Sequence, residues 1–158
     1  MASRNLEDLT PELQSKCILL KEAANKVGLD FIVTCTARTF KEQVALYAQG
    51  RQLLEETNKL RKIANLPVIT AIENKKKITW TLASEHIVNL DDKDITNDKA
   101  RAFDIALVKP GTREIFWNVK VNVNKNDVPD YMELAKIGRE IGLTCGAFWG
   151  TPDFPHYQ

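Results

Sequence analysis

The hydrophobic period changes along this chain, and the order of the changes limits the folds open to it. Leu13, Cys17, Leu20, Ala24 and Val27 recur at steps of four and three, which is one face of a helix. Thr10-Pro11 supplies an N-cap followed by proline at the first helical position, and Gly28 ends the pattern as a C′ residue. Phe31 to Thr36 is a β-rich run that predicts a buried strand. Thr39-x-x-Glu42 is a capping box, so a second helix starts at about Phe40. Residues 52–65 read as a third helix, with Leu53, Leu60 and Ala64 on one side, a Glu55/Lys59 pair, and Pro67 as the stop. Beyond it, Ile78 to Leu82 alternates and predicts a strand, and Ala102 to Val108 predicts another. Lys109-Pro110-Gly111-Thr112 is a turn that returns Ile115 to Val123 as a paired strand. A last helix opens at Asp127-Val128-Pro129 and ends on Gly142, and Leu143 to Trp149 predicts a final strand. Helices come first, and hairpin signals outnumber any β-α-β alternation. The pattern predicts an α+β fold, a small antiparallel sheet with helices packed on one side.

The chain has 158 residues, with no repeat and no linker, so one domain is expected over its whole length. Its 22 basic and 21 acidic residues give a formal charge of +1. That balance provides no long-range field for nucleic acid or an anionic membrane. Lys75-Lys76-Lys77 is the only dense basic run and reads as a solvated turn. Cys17, Cys35 and Cys145 are odd in number and widely spaced, so buried thiols are expected rather than a disulfide framework. No apolar run is long enough to span a membrane, and the N-terminus has no apolar core of a signal peptide.

The two histidines carry the chemistry. His86 lies in Ser84-Glu85-His86 and His156 closes Asp153-Phe154-Pro155-His156. Between them, Asp104 precedes the apolar Ile105, Ala106 and Leu107. Two imidazoles and a carboxylate supply three ligands for Zn²⁺ and leave a fourth position for water, the pattern of a catalytic zinc site. Asp153, three residues before His156, is then a candidate general base. A bland account exists for each: a surface or core histidine, and a turn aspartate before Pro155.

Taken together, these segments resemble the zinc D-Ala-D-Ala carboxypeptidase family, and within it the phage endolysins that are L-alanyl-D-glutamate peptidases. The resemblance covers most of the chain. It includes Thr36-Ala37-Arg38-Thr39 through Gln43, Leu46-Tyr47-Ala48-Gln49-Gly50-Arg51, then Ile78 to His86 and Ala102 to Ala106. Ile137-Gly138, Gly142-Leu143, Trp149-Gly150 and Asp153 to His156 complete it. It implies the fold shared by hedgehog and DD-peptidase domains. It also implies zinc on His86, Asp104 and His156, Asp153 as catalytic base, and Arg38 as the arginine that contacts substrate and steadies the oxyanion. Ser84 is a candidate to bond substrate or to orient His86, and Gln43 is a candidate for either role. Trp149 is a candidate wall of the cleft or a core aromatic, and Tyr47 reads as packing.

Two departures stand out. His86 and Asp104 are 18 residues apart, farther than the family spacing, so the polar stretch 89–99 reads as an insertion. Ala100 stands where the family has a glycine. Asp92, Asp94, Thr96 and Asp98 place oxygens at alternating positions, but Asn97 and Phe103 do not meet the EF-hand pattern. A solvated loop is therefore expected rather than a Ca²⁺ site.

The leading expectation is a zinc peptidase acting on the stem peptide of bacterial peptidoglycan, made in the host cytoplasm without a signal peptide. It would be a monomer without a separate wall-binding domain, reaching the wall through a separate holin pore. A D-Ala-D-Ala carboxypeptidase and a non-catalytic zinc-binding module of the same fold are the alternatives.

Overall fold

Local signals at the helix ends are realised as hydrogen bonds. In a computed structural model that describes residues 2–90 and 93–158, α1 spans Pro11–Lys26. The Thr10 hydroxyl accepts from the Leu13 amide, and Leu13, Cys17, Leu20 and Ala24 are the buried face. Gly28 follows with φ +79°, a left-handed turn that glycine adopts without a Cβ clash. The chain then enters β1, Asp30–Cys35. After β2, the short Arg38–Thr39, comes α2, Phe40–Ala48, which opens on a complete capping box between Thr39 and Glu42.

α3, Leu54–Ile63, keeps part of its expected face: Ala64 just beyond it is buried and Leu60 half-buried, but Leu53 is exposed, and the buried residues within the helix are Thr57 and Arg61. Arg61 reaches inward to bond the Pro67 carbonyl and the Gln49 side chain, so a polar anchor stands where Leu53 is expected. The expected Glu55–Lys59 pair is present at 3.2 Å.

β3 is Ile87–Val88, paired in parallel with β2. β4 is Phe103–Val108, β5 is Ile115–Phe116, α4 is Asp130–Glu140 and β6 is His156–Tyr157. β4 is the hub of the antiparallel sheet. It pairs with β1, with β5 and, at its start, with β6. α1 packs on β1 and α4. Phe103, Ile105 and Leu107 enter the core with Leu20, Phe31, Leu134 and Tyr157. Period-two alternation then turns Asp104 to the opposite face.

Three expected strands are corrected. Residues 78–82 form no ladder. The Gln43 amide bonds the Thr79 hydroxyl and the Thr81 carbonyl, and Arg51 bonds the Thr79 carbonyl, so side chains rather than a neighbouring strand hold this backbone in place. The return strand stops at Phe116, after which the chain runs irregularly to Pro129. The apolar run 143–149 holds one bridge, Cys145 to Tyr157, and then a 3-10 turn at Gly146–Phe148.

The polar insertion is a closed excursion. The Asn89 amide bonds the Asn97 carbonyl, and the Arg101 amide bonds the Glu85 carbonyl. Asp94 folds back onto the amide and hydroxyl of Thr96. Asp91 and Asp92, part of the acidic pattern in the sequence, lie outside the described residues. Among the described residues, no helix is long and apolar enough to cross a membrane.

Candidate metal centre and active site

Sheet register assembles the centre. Asp104 on β4 lies opposite Cys35 on β1 and opposite His156 on β6. Directly opposed residues of antiparallel strands share a face, so these three side chains project together. The third segment arrives through the parallel pair, where the Arg38 amide bonds the His86 carbonyl at 2.8 Å. Residues far apart in sequence thus meet at the start of one strand.

The donor atoms are close. His86 Nε2 and His156 Nδ1 each lie 3.1 Å from Asp104 Oδ1 and 3.3 Å from one another. Ligands bonded tetrahedrally to zinc at about 2.0–2.1 Å are about 3.3 Å apart. The spacing and the N, N, O donor set therefore fit such an ion. Second partners orient both rings. His86 Nδ1 donates to the Thr36 carbonyl at 2.7 Å, which turns the Nε2 lone pair inward. His156 Nε2 donates to Gln158 Oε1 at 2.8 Å, which turns Nδ1 inward.

Cys35, His86 and Asp104 form a second three-donor group, with ligand atoms within 4.8 Å of one another. Its sulfur lies 3.7 Å from His86 Nδ1, the nitrogen already bonded to Thr36, and accepts from Arg38 at 3.3 Å. The His156 group is tighter and uses the free nitrogen, so it is the better cradle.

Arg38 binds Asp104 Oδ2 at 3.2 Å and Gln43 Oε1 at 3.0 Å, while its Nε–H is buried with no partner among the described residues. Gln43, a sequence candidate for substrate contact, is fully buried and supports Arg38 from behind. Ser84 lines the groove and its hydroxyl accepts from the His86 amide at 3.3 Å. Trp149 also lines the groove and tilts against His156, with ring centroids 4.9 Å apart. Asp153 stands on the groove wall. Its amide donates to the Gly146 carbonyl and its carbonyl accepts from the His156 amide, which ties it to the last ligand segment.

Charge at the centre is shared. Burial pulls the His86 imidazole down, but Asp104 and the neighbouring Cys35 outweigh it and push it up to about 10. Burial also works against ionised Asp104, yet His156 and His86 hold its carboxyl well below the usual carboxylate range. Partial enclosure, then the charge of Asp104, raises Asp153, against the pull of His156, His86 and Arg38. A carboxyl shifted upward is the better proton acceptor near neutral pH.

Sequence reasoning missed Gln158, Thr36 and the groove tryptophans Trp80 and Trp117. Gln158 was open to it, since two residues beyond His156 on a strand is the same face. Thr36 acts through its carbonyl, which carries no side-chain signal.

A two-histidine, one-aspartate cradle with a guanidinium and a further carboxylate, set in a groove of about 940 Å³, defines a candidate hydrolytic metal centre on an α+β fold. No family model matches the chain. Its sequence is 28% identical over 152 residues to the peptidoglycan L-alanyl-D-glutamate endopeptidase CwlK of Bacillus subtilis, covering 96% of this chain and 73% of that one. The fold resembles the L-Ala D-Glu endopeptidase ChiX of Serratia marcescens, with a TM-score of 0.55 and 18% identity over 100% of this chain and 87% of that one. In sequence the chain is similar to an L-alanyl-D-glutamate endopeptidase, in keeping with the zinc peptidase family that its motifs resemble.

Proposed function

We propose that this protein is a zinc-dependent endopeptidase that hydrolyses the L-Ala–D-Glu bond of the peptidoglycan stem peptide. The observation that carries this reading is the cradle itself, three donor atoms at 3.1, 3.1 and 3.3 Å with Asp153 and Arg38 on the same groove. His86, Asp104 and His156 would hold the ion. When bound, zinc supplies the Lewis acidity that polarises a carbonyl and makes water nucleophilic near neutral pH.

The chain's own residues do the rest. Asp153 takes a proton from the attacking water on its carboxylate and returns it to the leaving amine of D-Glu. Arg38 pins Asp104 Oδ2, leaving Oδ1 toward the two imidazoles, and its guanidinium on the groove lining offsets charge developing on the substrate oxygen. Ser84 braces the His86 backbone at the groove edge. Phage endolysin activity, with holin-dependent release, is part of this reading and is supported by the likeness of the motifs.

Digestion of purified peptidoglycan, with new amino termini identified by mass spectrometry, tests it. New D-Glu amines that disappear in chelator and return with zinc are the expected result. Released D-Ala alone would assign a carboxypeptidase instead. Asp153→Asn keeps the size of the side chain and removes the acceptor. It is expected to retain zinc and lose about 10²–10⁴-fold in turnover, and a rate near wild type would move the base elsewhere, to Glu85 first.

A further inference from the structure

The chain has three tryptophans, and all of them line the same groove. Trp80 is 67% exposed, Trp117 53% and Trp149 38%. Large aromatic surface left in water and gathered at one concave site marks a ligand surface. Trp149 leans on His156 and belongs to the centre already described. Trp80 and Trp117 belong to neither the cradle nor the core. Trp80 sits on the segment that Gln43 and Arg51 hold by side-chain bonds, and the cations of Arg51 and Lys77 each lie 5.8 Å from its ring centroid. Trp117 directly follows β5. Thr79, Thr81 and Thr151 line the groove as well, with the Thr79 hydroxyl held by Gln43 and the Thr81 hydroxyl by the Ala83 backbone.

At about 940 Å³ the groove is near the upper end of the range for ligand clefts, about 300–1,000 Å³. It has more room than the two residues flanking a scissile bond occupy. Flat indole faces among polar lining residues such as Glu85 and Thr151 match a pyranose ring, which offers an apolar C–H face to the aromatic ring and polar substituents to its surroundings. In peptidoglycan the L-Ala residue is joined through a lactyl group to an N-acetylated amino sugar, so that sugar is one residue from the bond to be cut.

We propose that Trp80 and Trp117 form a pyranose subsite that receives the N-acetylated amino sugar carrying the stem, so that the protein selects stems still attached to glycan. This rests on the endopeptidase reading above for its substrate, but the binding itself can be measured without turnover.

A peptide-free tetrasaccharide of alternating N-acetylglucosamine and N-acetylmuramic acid is the probe. Indole N–H resonances, assigned by single Trp→Phe variants, report each ring. The Trp80 and Trp117 signals are expected to shift on titration, and Trp80→Ala with Trp117→Ala is expected to weaken binding by about three- to tenfold per ring. Initial rates on a glycan-linked stem and on the same stem peptide without sugar give the second readout. The ratio of the two kcat/KM values is expected to favour the linked substrate and to fall toward one in the double variant. Both positions are exposed, and thermal unfolding checks that the variants fold. Unmoved indole signals, or a ratio unchanged by the double variant, would overturn the proposal. If neither substrate is cut at L-Ala–D-Glu, the endopeptidase reading fails, and the tetrasaccharide titration alone then upholds or overturns the subsite.

Discussion

Gln158 decides which nitrogen of His156 faces the centre. An imidazole can present either nitrogen, and the bond from Nε2–H to Gln158 Oε1 at 2.8 Å leaves Nδ1 as the inward lone pair. Thr36 performs the same task for His86 through its backbone carbonyl, which no side-chain substitution removes. Gln158 is therefore the orienting partner that mutation can test. Gln158→Ala is expected to weaken zinc affinity by about 10–100-fold, the usual effect of losing such a partner. Gln158→Glu, which retains the acceptor, is expected to restore most of it. Competition with a chromophoric chelator measures both. Equal zinc affinity in wild type and Gln158→Ala would show that strand pairing alone orients the ring.

At the scale of elements, the tightest constraint is at Gly146, in the 3-10 turn before Asp153. A Cβ on Gly146 would stand 2.3 Å from the Asp153 carbonyl oxygen, a backbone atom that cannot swing aside. Gly146→Ala is expected to push the Asp153 segment outward and to lower kcat by about 10²-fold, the scale set by displacing a reacting group by an ångström. Rates and zinc content measured together check this, and a kcat near wild type would mean the turn has slack. The same region shows why parts of the fold were hidden in the sequence. Caps are local, so Thr10, Gly28 and the Thr39–Glu42 box were legible as helix ends. The β1 and β4 runs were legible because each is six residues long and apolar. β6 has two residues, too few for a period, and the apolar run before it pairs only at Thr144 and Cys145 before turning at Gly146, whose carbonyl accepts from the Asp153 amide. Residues 78–82 alternate like a strand but find their partners in the side chains of Gln43 and Arg51, which no periodicity reveals. The residues of the candidate centre were legible for a different reason. Each is a polar group where the local pattern gains nothing from one, as with Asp104 ahead of Ile105, Ala106 and Leu107. Trp80 and Trp117 were not, because an aromatic in a β-rich run reads first as core.

Across the whole molecule, the buried acids outside the active site link stability to alkaline pH. Burial pushes the Cys17 thiol up to about 12, against the pull of Lys21, and the Cys145 thiol up to about 11, against the pull of Arg139, from an ordinary value of 9.0. Cys17 lies on the core face of α1, and Cys145 donates to the Ala135 carbonyl on α4. In the unfolded chain both thiols lose their protons from about pH 9 upward, whereas the folded protein keeps them. The unfolded state then binds fewer protons than the native state, so the unfolding free energy falls as pH rises. The contribution is complete below pH 9 and drains away up to about pH 11 for Cys145 and pH 12 for Cys17, at about 1.4 kcal/mol per pH unit for each thiol. Burial also raises the Tyr131 and Tyr157 phenols, which extends the same loss above pH 10. His86 has a raised value in the same window, so the measurement is made on zinc-saturated protein, in which the cradle carries metal rather than a proton. Urea unfolding at pH 8, 9 and 10 is expected to show a steepening loss of stability. Cys17→Ala with Cys145→Ala is expected to be less stable at pH 8, because two buried side chains are shortened, yet to lose less on going to pH 10. Parallel pH dependences in the two proteins would show that the thiols titrate alike folded and unfolded, and that the alkaline limit of this fold is set by other groups.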